Sequence, residues 1–260
     1  MLDPQPAPVS RERLIETIGG DTPRCHIADN FALYCLPWTL SRFLMRYELL
    51  RRVLGVHGSI IECGVKQGAG LLQWFQLSRM LEPHNGRRIV YGFDTFDGLA
   101  SVHEKDGNHQ NGEQRAAVAS DTEAIYDHLM QCIAMHSLND TMVHHDHSNI
   151  FKPQVVQKHP WQRVVLIKGD FMETSTNFLS SHPHLVVALL YLDFDLYAPT
   201  KLAIQSFVPR MPRGAVIAFD ELDHPDWPGE TIALMETLGI GRLQLQRFPF
   251  EPATSYAVLL

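Results

Sequence analysis

Two apolar runs that each end abruptly in carboxylates constrain this chain more than any other feature. Between residues 189 and 230 it reads Leu-Leu-Tyr-Leu-Asp193-Phe-Asp195-Leu-Tyr197, a helical stretch, then Val-Ile-Ala-Phe-Asp220-Glu221. Apolar runs of this length without alternation are those of parallel strands buried on both faces. In an open α/β sheet, ligands sit outside the carboxyl ends of the strands, so both acidic ends belong to one crevice. Asp193, Asp220 and Glu221 could there offer three oxygen ligands to a hard divalent cation. The plain alternative is that strand-end acids cap the adjoining segments or answer helix dipoles.

Upstream, residues 59–64 (Ser-Ile-Ile-Glu62-Cys63-Gly64) read as a first strand entering a glycine turn, and a helical pattern succeeds Gly68 and Gly70 over 71–81. Glycines there allow a tight turn and close approach of a ligand to the backbone. The spacing departs from G-x-G-x-x-G, which weakens a nicotinamide-dinucleotide reading. A second strand over 88–93 ends in Asp94, an acid placed to accept hydrogen bonds from ribose hydroxyls, or to cap the next segment of chain. Together the turn and Asp94 point to a nucleoside. A third strand over 164–168 leads to Asp170, which either faces a nucleobase or caps the helix expected at 173–179. The crossover helix is expected at 199–208, a further helix at 230–238, and final strands at 243–248 and 255–260. The last connection is of hairpin type, finishing the sheet antiparallel. The expectation is a doubly wound, mostly parallel seven-stranded α/β sheet.

Ahead of the first strand, Trp38, Leu40, Phe43, Leu44, Tyr47, Leu50, Val53 and Leu54 recur at helical steps and give one apolar face. This helix predicts either a lid or a subunit contact. A shorter helical pattern occupies 11–18. Residues 97–160 are the least regular, with a helical stretch over 116–136. An elaboration of that length in an α/β sheet is usually built for function, here as a substrate wall. His144, His145 and His147 match no zinc spacing and read as solvated loop residues. The division expected is therefore a helical extension at 1–57 and a sheet domain at 58–260.

A net charge of −7 with no basic block argues against nucleic acid or an anionic membrane as partner. No long apolar run or signal core is visible, and the four cysteines lack paired or zinc-type spacing, as expected of a cytoplasmic protein with reduced thiols.

The motifs Ile61-Glu-Cys-Gly-Val-Lys-Gln-Gly68, Gly92-Phe-Asp-Thr-Phe-Asp-Gly98, Lys168-Gly-Asp-Phe171, Leu192-Asp-Phe-Asp-Leu-Tyr-Ala-Pro-Thr200 and Phe219-Asp-Glu221 occur in order. Together they resemble the macrocin-type sugar O-methyltransferases, and most closely their deoxyhexose 3-O-methyltransferase branch. The resemblance covers about 36–260 and implies a class I methyltransferase fold using S-adenosylmethionine and Mg²⁺ or Mn²⁺. It implies a cofactor site at Glu62, Cys63, Gly64, Gly68, Asp94, Thr95, Phe96, Asp170 and Phe171, and metal ligands Asp193, Asp220 and Glu221. Where the family more often has Asp-Asp, this chain has Asp220-Glu221. Asp193 would also act as general base, with His224 a second candidate and Asp195 behind the ligands. A sugar-containing small molecule is the implied substrate, a phenolic or catechol acceptor its nearest rival. An oxidoreductase or a non-catalytic cofactor-binding protein remains as an alternative from another class. The amphipathic helix predicts a homo-oligomer, a dimer or larger.

Overall fold

The computed structural model describes residues 29–100, 102–110, 122–138, 141–144, 155–158 and 162–260. In chain order the strands are β1 (Ser59–Cys63), β2 (Val90–Asp94), β3 (Thr141–His144), β4 (Val155–Lys158), β5 (Val164–Lys168), β6 (Val187–Leu192), β7 (Val216–Phe219), β8 (Gln246–Phe248) and β9 (Glu251–Val258). Seven form one sheet in the order β5-β2-β1-β6-β7-β9-β8. The first five of that order are parallel, β9 runs antiparallel to β7, and β8 is antiparallel to β9. Every residue of β1, β6 and β7 is buried, which is why their sequences show no alternation. The order reverses between β1 and β6, so the crevice lies at their carboxyl ends.

The helices are α1 (Pro37–Val53), α2 (Ala69–Leu81), α3 (Thr122–Leu138), α4 (Phe171–Ser181), α5 (Tyr197–Phe207) and α6 (Gly229–Thr237). One face of the sheet carries Ile61, Cys63, Phe93, Leu192 and Phe219 in a cluster with Phe171 and Phe178 of α4 and Phe207 of α5. Phe93 meets Phe171 and Phe178 edge-on at 5.1 and 4.9 Å between ring centroids. The other face receives α2, where Gly92 is needed because a Cβ would press 2.7 Å from Leu71 and Val65. The chain divides after Met45 into two compact units, a boundary that falls within α1.

Several boundaries differ from those expected. β9 starts at Glu251, not 255, and takes in Pro252. A register shift between Arg247 and Phe248 leaves Phe248 opposite Glu251, so only Pro249 and Phe250 turn the hairpin. The 97–160 elaboration contains an antiparallel pair, β3 with β4, that the sequence pattern did not announce. His144 lies in β3. The pattern at 11–18 falls outside the described residues, as do Cys25, His145 and His147. Cys35, Cys63 and Cys132 are free thiols. No helix among the described residues is long and apolar enough to cross a membrane.

Candidate active site

A cavity of about 390 Å³ opens at the carboxyl ends of β1, β2, β5 and β6. That volume lies in the range of small-molecule sites. Its walls come from three consecutive strand-end loops, with Gly64, Lys66 and Gln67 after β1, residues 94–96 and 98–100 after β2, and Gly169, Asp170 and Phe171 after β5. Residues 193–196 and Pro199 close the β6 side, and Ile125 of α3 adds an apolar contact from the elaboration. Four carboxylates (Asp94, Asp170, Asp193, Asp195) line it against one lysine.

Gly64 makes the approach of β1 to β6 possible. It holds φ +91°, and a Cβ there would lie far inside contact distance of the Asp193 main-chain oxygen. The Asp193 N–H in turn donates to the Cys63 carbonyl at 2.8 Å, fixing the carboxylate at the cavity. Asp94 secures the glycine turn. Its Oδ2 accepts from the Val65 and Lys66 N–H groups at 2.8 and 2.7 Å, and its Oδ1 from Phe96 N–H at 2.7 Å. Oδ2 has both lone pairs engaged, but Oδ1 keeps one, so Asp94 can still accept from a ligand hydroxyl. Lys66, Phe96 and Asp195 hold φ between 52° and 61°, a left-handed conformation uncommon outside glycine, and all three line the cavity. Thr95 Oγ1 donates to the Gly98 carbonyl at 2.6 Å. Asp170 caps α4 through Met172 N–H at 2.9 Å while also facing the cavity. The capping reading of that residue therefore holds, and the side chain is at the same time part of the cavity wall.

Five of the expected site residues sit elsewhere. Gly68, at φ +86°, begins α2 against Leu129. Cys63 is fully buried in the core, and burial pushes its thiol well up. Glu62 points to the opposite side of the sheet, where Arg46 Nη2 lies 3.6 Å from its Oε1. The Arg46 guanidinium stacks over Trp74 and Tyr191 at 5.6 and 5.1 Å. Burial raises Glu62 to about 7, with Arg46 acting against that rise. A Cβ at Gly70 would overlap this ion pair, which explains the glycine. Asp220 is buried too, accepting a short hydrogen bond from the Tyr191 hydroxyl and a longer one from Thr254 at 3.4 Å. Glu221 donates its main-chain N–H to Glu230 at 3.5 Å. Glu230 is fully buried, and burial first, then Asp195 and Asp220, pushes its carboxyl well up.

The expected metal set is therefore not assembled. Asp193 faces the cavity while Asp220 turns to Tyr191 and Thr254, and no three Asp, Glu, His or Cys side chains among the described residues converge as a metal site. His224 lies on an exposed loop away from the cavity.

One feature had no sequence signal. Asp106, fully buried in the loop after β2, accepts from the main-chain N–H groups of His103 and Tyr197 at 2.7 and 2.6 Å. It ties that loop to the start of α5, where Leu196 and Pro199 line the cavity. Beside it, Lys105, Lys201 and the Tyr197 hydroxyl converge on Glu236, and their hydrogen bonds hold that carboxyl down to about 2.

No family model and no curated protein matches the chain. Solved structures do. The calicheamicin methyltransferase CalS11 shares 33% identity, with 95% of this chain and 90% of that one covered at a TM-score of 0.80. Its apo form, described as a TDP-rhamnose 3'-O-methyltransferase of calicheamicin biosynthesis, aligns at 31% identity, TM-score 0.74, over 95% and 92% of the two chains. The O-methyltransferase NovP shares the fold at 17% identity and TM-score 0.60, over 84% and 79%. The sheet order, the cavity at the β1/β6 reversal and one residue in three identical over nearly the whole length agree. The chain belongs to the sugar O-methyltransferase family that contains CalS11, and it is an O-methyltransferase of the class I fold.

Proposed function

We propose that this chain transfers the methyl group of S-adenosylmethionine to a sugar hydroxyl, on a deoxyhexose carried by a nucleotide or by a glycosylated natural product. The observation that carries this reading is the acid-lined cavity at the β1/β6 reversal, in a chain one-third identical to a TDP-rhamnose 3'-O-methyltransferase. A cradle that a Cβ at Gly64 would fill, an acid at the end of β2 and an apolar wall from Phe96, Phe171 and Ile125 suit an adenosine with an amino-acid tail.

S-adenosylmethionine supplies an electrophilic methyl carbon on a sulfonium sulfur, which leaves with the bonding pair as a neutral thioether. Asp94 accepts a ribose hydroxyl through the Oδ1 lone pair that its main-chain partners leave open. Asp193 takes the acceptor's proton as the new C–O bond forms. A carboxylate is a weak base for a sugar hydroxyl, so this transfer has to be concerted with attack rather than precede it. The loops on either side hold donor and acceptor in line, which contributes several kcal/mol through orientation alone, of the order of 7–11 kcal/mol in well-aligned systems. By donor type Asp193, Asp220 and Glu221 suit Mg²⁺ or Mn²⁺. As arranged they do not converge on one point.

Calorimetric titration of S-adenosylmethionine and of its demethylated product tests the cofactor. Saturable binding that Asp94→Ala abolishes is expected, followed by methyl transfer to a nucleotide deoxyhexose. Absence of binding by both compounds would remove the proposal.

A further inference from the structure

A second cavity, of about 570 Å³, opens at the amino ends of β1, β2 and β6. β1 alone is five residues long, so about 16 Å of strand separates it from the crevice at the carboxyl ends. The two differ in sign. Arg87, Arg88, His57 and His184 line this one, and no carboxylate stands among its described lining residues. Arg88 is buried and already answered, donating to Glu82 at 2.6 and 2.8 Å and to the carbonyls of Gly58, Val53 and Val56 at 2.8, 3.1 and 3.2 Å. Those bonds tie the turn between α1 and β1 to the approach of β2, so the rim is held in shape before any ligand arrives. Arg87 is exposed instead, and its guanidinium makes no ion pair among the described residues. Tyr91 reaches the cavity from β2. It is only 3% exposed, its ring is held edge-on by Phe178 and His182 at 5.1 and 5.5 Å, and its hydroxyl has no hydrogen-bond partner among the described residues. Polar atoms of buried side chains are normally satisfied, so this one marks a place for a ligand atom.

We infer that this cavity is a second binding site, for a phosphate ester that carries a ring. The Arg87 guanidinium presents a planar fork that matches two phosphate oxygens. His57 and His184 add ring N–H donors beside it. Leu54, Val56, Ile89 and Leu185 give the remaining wall an apolar surface for the ring, with the Tyr91 hydroxyl left for a polar atom on it. A volume of about 570 Å³ lies in the range of small-molecule sites and is more than a free phosphate fills. The acid-lined crevice repels such a ligand, so the two ends of the same strands select opposite charges.

Calorimetric titration of the full chain with phenyl phosphate, inorganic phosphate and phenol, each to about 10 mM, tests this. Phenyl phosphate is expected to bind saturably and at least about tenfold more tightly than either part, the factor that one charge-assisted hydrogen bond supplies. Arg87→Ala is expected to reduce it to the level of phenol, and Arg87→Lys to restore part of the affinity. Tyr91→Phe keeps the ring and is expected to weaken binding several-fold. Far-UV circular dichroism checks that each variant is folded. Absence of saturable phenyl phosphate binding overturns the inference. So does binding that folded Arg87→Ala retains in full, which would place the ligand elsewhere. Inorganic phosphate binding as tightly as phenyl phosphate also overturns it, since the site would then be a surface charge without a ring pocket.

Discussion

Among the described residues, Arg46 is the cation that answers the buried carboxylates around Tyr191, and its consequences can be read residue by residue. Burial holds Glu62 at about 7 against its ordinary 4.5, so folding favours the protonated acid. That contribution to stability is full below about 4.5 and is lost as pH rises through about 7. Arg46→Met removes the charge that partly offsets this loss. It is expected to destabilise by about 3 kcal/mol at pH 8 and by much less at pH 5, where Glu62 is protonated. Urea unfolding of both proteins at the two pH values checks this, and an equal loss at both would refute it. Gly64→Ala meets the Asp193 main chain at a positive φ, so a loss of about 2–3 kcal/mol and at least tenfold weaker cofactor binding are expected. Thermal unfolding and calorimetry measure the two effects. Asp193→Asn is expected to abolish turnover and leave cofactor affinity nearly intact, and turnover near the wild-type rate would remove Asp193 as base.

At the scale of elements, Asp106 joins the β2 loop to the start of α5. Asp106→Ala leaves one buried and one half-buried N–H group without an acceptor, at about 1–3 kcal/mol for a buried one, and about 3 kcal/mol in all is expected. Asp106→Asn keeps one oxygen and should lose roughly half of that, which denaturant titration resolves. This joint also shows where sequence reading stops. The five parallel strands are legible because each is a short apolar run bounded by glycine or an acid. The cavity is legible where consecutive residues form it, as at Gly64, at Asp94 to Phe96 and at Asp170. Asp106 with Tyr197, or Arg46 with Glu62, are pairs that only the folded chain brings together, and no local period marks them. Glu62 and Cys63 share the turn motif with Gly64, but a strand alternates its faces, so adjacent residues part company. β3 and β4 have four residues each, too few to set a period.

For the molecule as a whole, charge and topology act together. A chain of net charge −7 directs four carboxylates and one lysine into the crevice at the β1/β6 reversal. A ligand carrying a sulfonium is therefore drawn in more strongly than its neutral thioether product, an attraction that salt screens. Raising NaCl from low to high concentration is expected to weaken S-adenosylmethionine by a few-fold more than its demethylated product. Parallel calorimetric titrations would show it, and identical salt dependences would count against electrostatic selection. The backbone carries a related consequence. Lys66, Phe96 and Asp195 keep a left-handed conformation at the rim of the cavity, and each costs of the order of 1–3 kcal/mol. An engineer seeking heat resistance would find them first, since glycine at any of the three relaxes the chain. The same change would loosen the walls of the crevice, so thermostability and catalytic rate are expected to trade against each other at these three positions.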